Sequence, residues 1–289
     1  MDDGAPADGS RARHAAWIGP ACAVAATGLG LVYLAVAGAP ARYLAVNAGA
    51  LAVGLIALTA LARWMRPSGL TILAVGVALL ATALFGHSLD GAARWVRVGP
   101  LSLQPSLILL PAMCVMAANA SGAVVTCGLI LAAGALALQP DRAMAGALVA
   151  GLAALTLAKP DRWRLAALAA GLAGFAATLA RPDTLAAQPF VEGVLNSAFQ
   201  VHPLAGLAVW CGSAVLIIPA LAGAIRRPDD RARHAAFGAV WLAILAAAVV
   251  GNYPTPLVGY GASSILGYAL SVAALVLRSA APGPPRTAP

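Results

Sequence analysis

Long apolar stretches without a charged side chain recur along this 289-residue chain, at roughly 15–36, 43–62, 68–86, 103–118, 121–138, 143–158, 165–180, 204–225, 235–251 and 261–277. A backbone in hydrocarbon has to satisfy its own N–H and C=O groups, so stretches of this kind are read as membrane-spanning α-helices. Several are nearer 16 residues than the usual ~20, which predicts short, tilted or partly re-entrant segments. The expected fold is an all-α integral membrane protein, a bundle of ten spans. Only 10% of the residues are charged and mean hydropathy is +0.87. Soluble domains carry roughly 25% charged residues, so a soluble enzyme is excluded.

The even count rests on dividing the uncharged stretch 98–140, which is too long for one crossing. Asn119, Ser121 and Gly122 supply the turn chemistry that divides it. With the N-terminus in the cytoplasm, thirteen of the 18 Lys and Arg fall on the inner side, and only Arg42, Arg94, Arg97, Arg142 and Arg181 fall outside. Short cytoplasmic loops collect such residues, so the asymmetry favours ten spans with both termini cytoplasmic. Residues 1–14 then form a cytoplasmic tail, 15–279 the membrane domain, and 280–289 a Pro-rich tail expected to be disordered. Asp2, Asp3 and Asp8 precede the first apolar run where a signal peptide has a basic region, so that run is read as an uncleaved span.

The net charge of +8 does not indicate nucleic acid, because the basic residues stand singly between apolar runs. Cys22, Cys114, Cys127 and Cys211 all lie in apolar runs without a CxxC pair, so neither disulfides nor zinc are expected. Alanine and glycine dominate the spans, which suits close helix approach and a compact bundle without a wide pore. No charged residue sits mid-span, which counts against an ion-coupled transporter.

Chemistry is therefore expected at the outer surface, where three segments carry pattern. The first, HSLDGAARWVRVGPLSLQPS at 87–106, is an amphipathic loop with Arg94 and Arg97 beside Trp95, followed by Gln104-Pro105-Ser106 at the entry to the fourth span. The second, LQPDRAMA at 138–145, opens the sixth span with Asp141 in a capping position. The third, GNYPTPLVGYGASSILG at 251–267, is a Pro/Gly loop that brings Tyr260, Ser263 and Ser264 to the mouth of the tenth span.

In this order the segments resemble the SEDS family (shape, elongation, division and sporulation; the FtsW/RodA/SpoVE group). That family has a GxRRWI...QPSE signature entering the fourth span, a QPDLGTA-like segment at the sixth and a PLPFxSYGGSS-like loop before the tenth. Here they stand as Gly91 to Val96 with Gln104-Pro105-Ser106, as Gln139-Pro140-Asp141, and as Pro256 to Ser264. Two departures are plain. Leu107 and Leu110 stand where the family has Glu and Lys, and the loop between the seventh and eighth spans, Arg181 to Pro203, is short. With His202 aligned on the family's HTDFIF-like segment, Leu204 falls where its proposed catalytic aspartate stands.

The resemblance implies bacterial cell-wall synthesis, shape or division at the cytoplasmic (inner) membrane. Its members polymerise lipid II, an undecaprenyl-pyrophosphate-linked disaccharide, beside a penicillin-binding-class transpeptidase or another division or elongation protein. Such a reaction needs a base for the acceptor hydroxyl and positive charge for the departing pyrophosphate. Asp141 is the first candidate base, with capping as its other reading; Glu192 and Asp183 are alternatives that no motif supports. Arg94 and Arg97 suit a pyrophosphate, with Trp95 beside them, or else snorkel to headgroups. Gln104, Ser106, Tyr260, Ser263 and Ser264 suit a sugar groove, or else satisfy loop backbone. No protein metal site is expected; Mg²⁺ or Mn²⁺ assistance stays open. A non-catalytic paralogue that binds the precursor or a division partner, and a lipid flippase or transporter, are the competing readings.

Overall fold

Each of the ten apolar blocks is helical over most of its length in the computed structural model, which describes residues 7–64, 68–89, 92–181, 186–226 and 230–276. Helices α1 (Ala7–Val36), α2 (Ala41–Trp64) and α3 (Gly69–Phe85) lead into strands β1 (His87–Leu89), β2 (Ala92–Val98) and β3 (Leu101–Leu103). There follow α4 (Pro105–Ala117), α5 (Ala123–Leu138), α6 (Arg142–Ala158), α7 (Arg162–Leu179) and the short α8 (Val194–Val201). The chain continues through α9 (Pro203–Val215), α10 (Ile218–Arg226), α11 (Arg231–Val250) and α12 (Ala262–Val276). By length and composition, the helices at Trp17–Val36, Ala41–Arg63, Pro203–Arg226 and Arg231–Val250 are sufficient to cross a membrane; α3, α4, α5, α6 and α12 are shorter apolar helices. The tail at 280–289 and Asp183 lie outside the described residues.

The all-α expectation needs one correction. Strands β1, β2 and β3 form a three-stranded antiparallel sheet in that order, where the sequence suggested an amphipathic loop. Val98 pairs with Leu101, so Gly99 and Pro100 make a two-residue turn. Gly99 has φ +58°, which a hairpin turn of this length requires at its first central position and glycine alone supplies without strain.

The eighth block is interrupted between α9 and α10. Pro219, the second residue of α10, has no N–H to continue the helical ladder from α9. The Tyr268 hydroxyl, buried on α12, donates to the Leu216 carbonyl at this break, 3.1 Å away. Tyr268, Phe237 and Trp241 form a fully buried aromatic cluster between α11 and α12, and Trp241 Nε1 donates to Ser271 Oγ. Tilted and edge-on ring pairs of this kind add to the burial of their area.

Helix α4 is the central rod, with ten of its side chains buried. A Cβ on Gly267 of α12 would come within 2.1 Å of the Leu107 carbonyl, so α4 and α12 meet backbone to backbone at that point. Leu107 and Leu110 are buried and apolar there. Replacing a buried ion pair by packed leucines need not cost stability.

The other end of α4 is tethered by two arginines. Arg164 of α7 donates to the Ala118 carbonyl and pairs with Asp161, whose carboxylate also accepts from Ser121. Arg233, buried at the start of α11, donates to the Leu275 carbonyl and lies 3.6 Å from Asp230. With its amide oxygen turned toward Arg233, Asn119 accepts from Nε and Nη2 at 2.7 and 2.9 Å.

Candidate active site

Three helix starts, those of α4, α6 and α12, converge on one polar cleft of about 320 Å³. Its lining includes Arg94, Trp95, Gln104, Asp141, Glu192, Tyr260, Ser263 and Ser264. The three patterned segments of the sequence, separated by up to about 160 residues, thus meet in space.

The bonds that join them are direct. The Gln104 N–H at the start of α4 donates to Ser263 Oγ of α12 at 2.9 Å. Gln104 Nε2 donates to Asp141 Oδ2 at 2.8 Å, and Ser106 Oγ donates to the same oxygen at 3.1 Å. The other carboxylate oxygen of Asp141 caps α6 by accepting the Met144 N–H at 3.2 Å. Asp141 is only 1% exposed, so this buried carboxylate is held by three donors in a fixed orientation. Asp141 thus caps α6 and lines the cleft at once, where the sequence offered capping and a base role as its two readings.

Arg94, on β2, is buried and anchors the turn that presents Asp141. Its Nε donates to the Gln139 carbonyl at 3.1 Å and its Nη2 to the Pro140 carbonyl at 2.6 Å. The planar fork of a guanidinium suits two consecutive carbonyls, a geometry a lysine cannot copy. Arg97, on the same strand, is exposed and is not part of the cleft lining. Trp95 borders the cleft and is half-buried.

The loop 186–193 supplies the second described carboxylate of the cleft. Glu192 is half-buried, its main chain bridges to Pro254, and one carboxylate oxygen accepts the Gln188 N–H at 2.5 Å. Burial pushes its carboxyl above the ordinary glutamate range, against the smaller opposing effect of backbone N–H bonds. Leu204, aligned with the family's aspartate, is instead an exposed residue in the first turn of α9 and does not line the cleft. His202 caps that helix, its Nδ1 accepting the Leu204 N–H.

The third wall is the loop 251–261, where Leu257 has φ +63° while Phe190 of the facing loop has φ +66°. Non-glycine residues hold this left-handed conformation only where their surroundings fix it, and such positions gather at functional sites. Ser264 Oγ accepts the Leu257 N–H, and Tyr260 N–H donates to the Phe190 carbonyl. The Tyr260 ring stacks on Tyr43 of α2, with centroids 3.7 Å apart and planes within 8°. Burial raises the Tyr260 hydroxyl above its usual range, the neighbouring Tyr43 adding to the effect and Arg42 opposing it. Asn47, also on α2, closes the loop by donating to the Gly259 carbonyl and accepting the Gly261 N–H.

Sequence reasoning missed Tyr43 and Asn47. The signal for Asn47 was a lone amide within an apolar run, a residue type that in lipid has to find a partner.

Beside the polar cleft runs an apolar groove of about 640 Å³ between α6, α7 and α11. The two share Ala143, Asn252 and Tyr253 as lining residues, so they adjoin. The small residues Gly146, Ala150, Ala243, Ala246 and Ala247 line the groove. Here small side chains leave open space, where the sequence suggested only close packing.

Among the described residues, no group of three or more His, Cys, Asp or Glu side chains is placed to hold a metal ion.

The sequence model of the FtsW/RodA/SpoVE family, described as cell cycle protein, matches residues 35–188. A 44-residue stretch is 46% identical to the protein named "Probable peptidoglycan glycosyltransferase FtsW" from Shewanella sediminis (strain HAW-EB3). That stretch is 15% of this chain and spans 11% of the relative's length. The fold is similar to the crystal structure of Thermus thermophilus rod shape determining protein RodA, with a TM-score of 0.58 and 21% identity over 89% of this chain and 93% of that one. It is equally similar to a chain in a structure described as "Structural coordination of polymerization and crosslinking by a peptidoglycan synthase complex", with a TM-score of 0.59 and 21% identity over 90% and 96% of the two chains.

Proposed function

Since this chain belongs to the FtsW/RodA/SpoVE family of cell cycle proteins, we propose that it is a multi-pass protein of the bacterial inner membrane that transfers saccharide from a polyprenyl-pyrophosphate carrier during cell-wall synthesis. In this reading the chain crosses ten times with both ends in the cytoplasm, and the cleft opens to the outer face. The observation that carries the reading is the hydrogen-bonded meeting of Gln104, Asp141 and Ser263 from three separate segments at one cleft.

The cleft chemistry suits that substrate. Helix N-termini present positive dipole ends and N–H donors, and three of them converge on the cleft where a pyrophosphate would leave. The adjoining groove of about 640 Å³ is apolar, as the first isoprene units of the carrier require. In the transfer step the acceptor hydroxyl oxygen bonds to the anomeric carbon as the bond from that carbon to the pyrophosphate oxygen breaks. A base must take the hydroxyl proton. Glu192 fits this role better than Asp141: burial raises its proton affinity, while both oxygens of Asp141 are committed to Gln104, Ser106 and Met144. Asp141 then acts as the fixed charge that orients Gln104 and Ser106 toward saccharide. A divalent ion, Mg²⁺ or Mn²⁺, would arrive on the pyrophosphate, because such ions bind through one or two carboxylates plus substrate phosphates.

The partner expected from this reading is a penicillin-binding-class transpeptidase. The experiment is strand synthesis from lipid II by the purified protein in nanodiscs with Mg²⁺ or Mn²⁺, alone and co-purified with such a partner. Glycan strands are the expected product. Binding of lipid II without strands, partner present, would instead support a precursor-binding regulator. That second reading draws on the exposed Leu204 at the position aligned with the family's aspartate.

A further inference from the structure

Arg142 is the cationic side chain that lines the apolar groove. The family resemblance places leucine after the aspartate of this segment, so the arginine is a feature of this chain. Its neighbour Asp141 belongs to the cleft, and Ala143 belongs to both cleft and groove. Arg142 therefore stands at the junction between polar and apolar spaces.

Its guanidinium is oriented by the end of α7. Nε donates to the Thr178 carbonyl at 3.1 Å, and Nη2 donates to the Arg181 carbonyl. Among the described residues Nη1 has no protein acceptor. Two anchored nitrogens fix the plane of the fork, and a fixed fork loses little freedom when it binds phosphate. From Arg142 the α6 wall of the groove runs to Ala150, about 12 Å at 1.5 Å per residue.

We infer that Arg142 is the phosphate contact for a polyprenyl-linked ligand whose chain lies in the groove between α6, α7 and α11. Arg94 and Arg97 differ from it in setting: Arg94 is buried and lines the cleft but not the groove, and Arg97 lines neither. The inference deepens the proposed function by naming the residue that meets the carrier's phosphate. It commits to the carrier lipid, not to bilayer phospholipid.

The test uses the full chain in phosphatidylcholine nanodiscs with undecaprenyl phosphate and undecaprenol as probes. The wild-type protein is expected to bind the phosphate at least about tenfold more tightly than the alcohol, as a charge-assisted contact of this type implies. Arg142→Gln should abolish that preference while leaving undecaprenol binding unchanged, and Arg142→Lys should keep part of it. Ala150→Phe, which fills the groove, should weaken both probes equally, and it tests the occupant independently if Arg142→Gln fails to fold. Absence of the preference in the wild type, its survival in Arg142→Gln, or equal competition by phosphatidylglycerol would each overturn the inference. The probes carry no saccharide, so failure of strand synthesis with an intact phosphate preference would count against the proposed function alone.

Discussion

Gln104 and Asp141, 37 residues apart in sequence, are joined by a 2.8 Å hydrogen bond from the amide nitrogen to the carboxylate. Through it the start of α4 is fixed to the start of α6, and the Gln104 main chain in turn holds Ser263 of α12. One residue, through its side chain and its main chain, therefore sets the relative positions of three helices at the cleft.

Asp141 is expected to matter for both folding and turnover, to different extents in different variants. Asp141→Ala leaves the buried donors of Gln104 and Ser106 without their acceptor, a loss of about 1–3 kcal/mol. Asp141→Asn keeps a capping oxygen but removes the charge, and should lower strand synthesis about 100-fold with a smaller loss of stability. Thermal unfolding in detergent beside strand synthesis separates the two. Wild-type turnover in the Asn variant would remove the charge from the proposed chemistry.

Glu192 governs the expected pH dependence. As a base it must be unprotonated, so kcat/KM should fall toward acid through a limb set above the ordinary glutamate range. The stability contribution has the opposite sense: a carboxyl whose folded pKa is raised stabilises the fold below its unfolded pKa, and this is lost as pH rises through the folded value. Glu192→Gln should remove the acid limb together with at least about 100-fold of turnover while lipid II binding persists. An unchanged pH profile would transfer the base role elsewhere.

Arg94 should tolerate no substitution by lysine. The Gln139 and Pro140 carbonyls need two nitrogens in one plane, so Arg94→Lys and Arg94→Met are both expected to cost about 1–3 kcal/mol and to disturb the placement of Asp141. Hydrogen exchange at the start of α6 would report that disturbance. Full rescue by lysine, in stability and turnover, would mark Arg94 as a point charge for ligand instead of a backbone anchor.

Gly267 is the tightest point between α4 and α12. Gly267→Val places carbon against the Leu107 carbonyl, where even a Cβ would lie 2.1 Å away, and the two helices must separate. The expected loss is about 2–3 kcal/mol by overpacking, accompanied by release of the Gln104 to Ser263 bond. A spin-label distance between the two helices that stays at its wild-type value would contradict this account.

Much of the architecture was legible because spans need long apolar runs, and the Gln-Pro-Ser, Gln-Pro-Asp and Tyr-Gly-Ala-Ser-Ser segments mark helix starts by composition. The sheet at 87–103 was not. Seven residues of AARWVRV alternate too briefly to be told from an interfacial loop, and its Gly99-Pro100 turn was read only as a loop. Arg94 was recognised, but whether a guanidinium turns to a ligand or to carbonyls 45 residues away depends on tertiary placement. Glu192 lacked a motif, and its cleft position comes from the pairing of its loop with residues 254–260. Arg142 was placed on the outer side beside Asp141 but given no ligand role, because the groove it lines is made by three helices distant in sequence.

The paired tethers at the far end of α4 have a thermodynamic consequence for ligand capture. Arg164 and Arg233 hold the turn after α4 at Ala118 and Asn119, while Gln104 and Gly267 lock its beginning. A rod fixed at both ends cannot slide or rotate to meet an incoming headgroup. The ordering entropy of the cleft floor is thus settled when the chain folds, and the loops 186–193 and 251–261, bonded to each other across its rim, complete a template already in place.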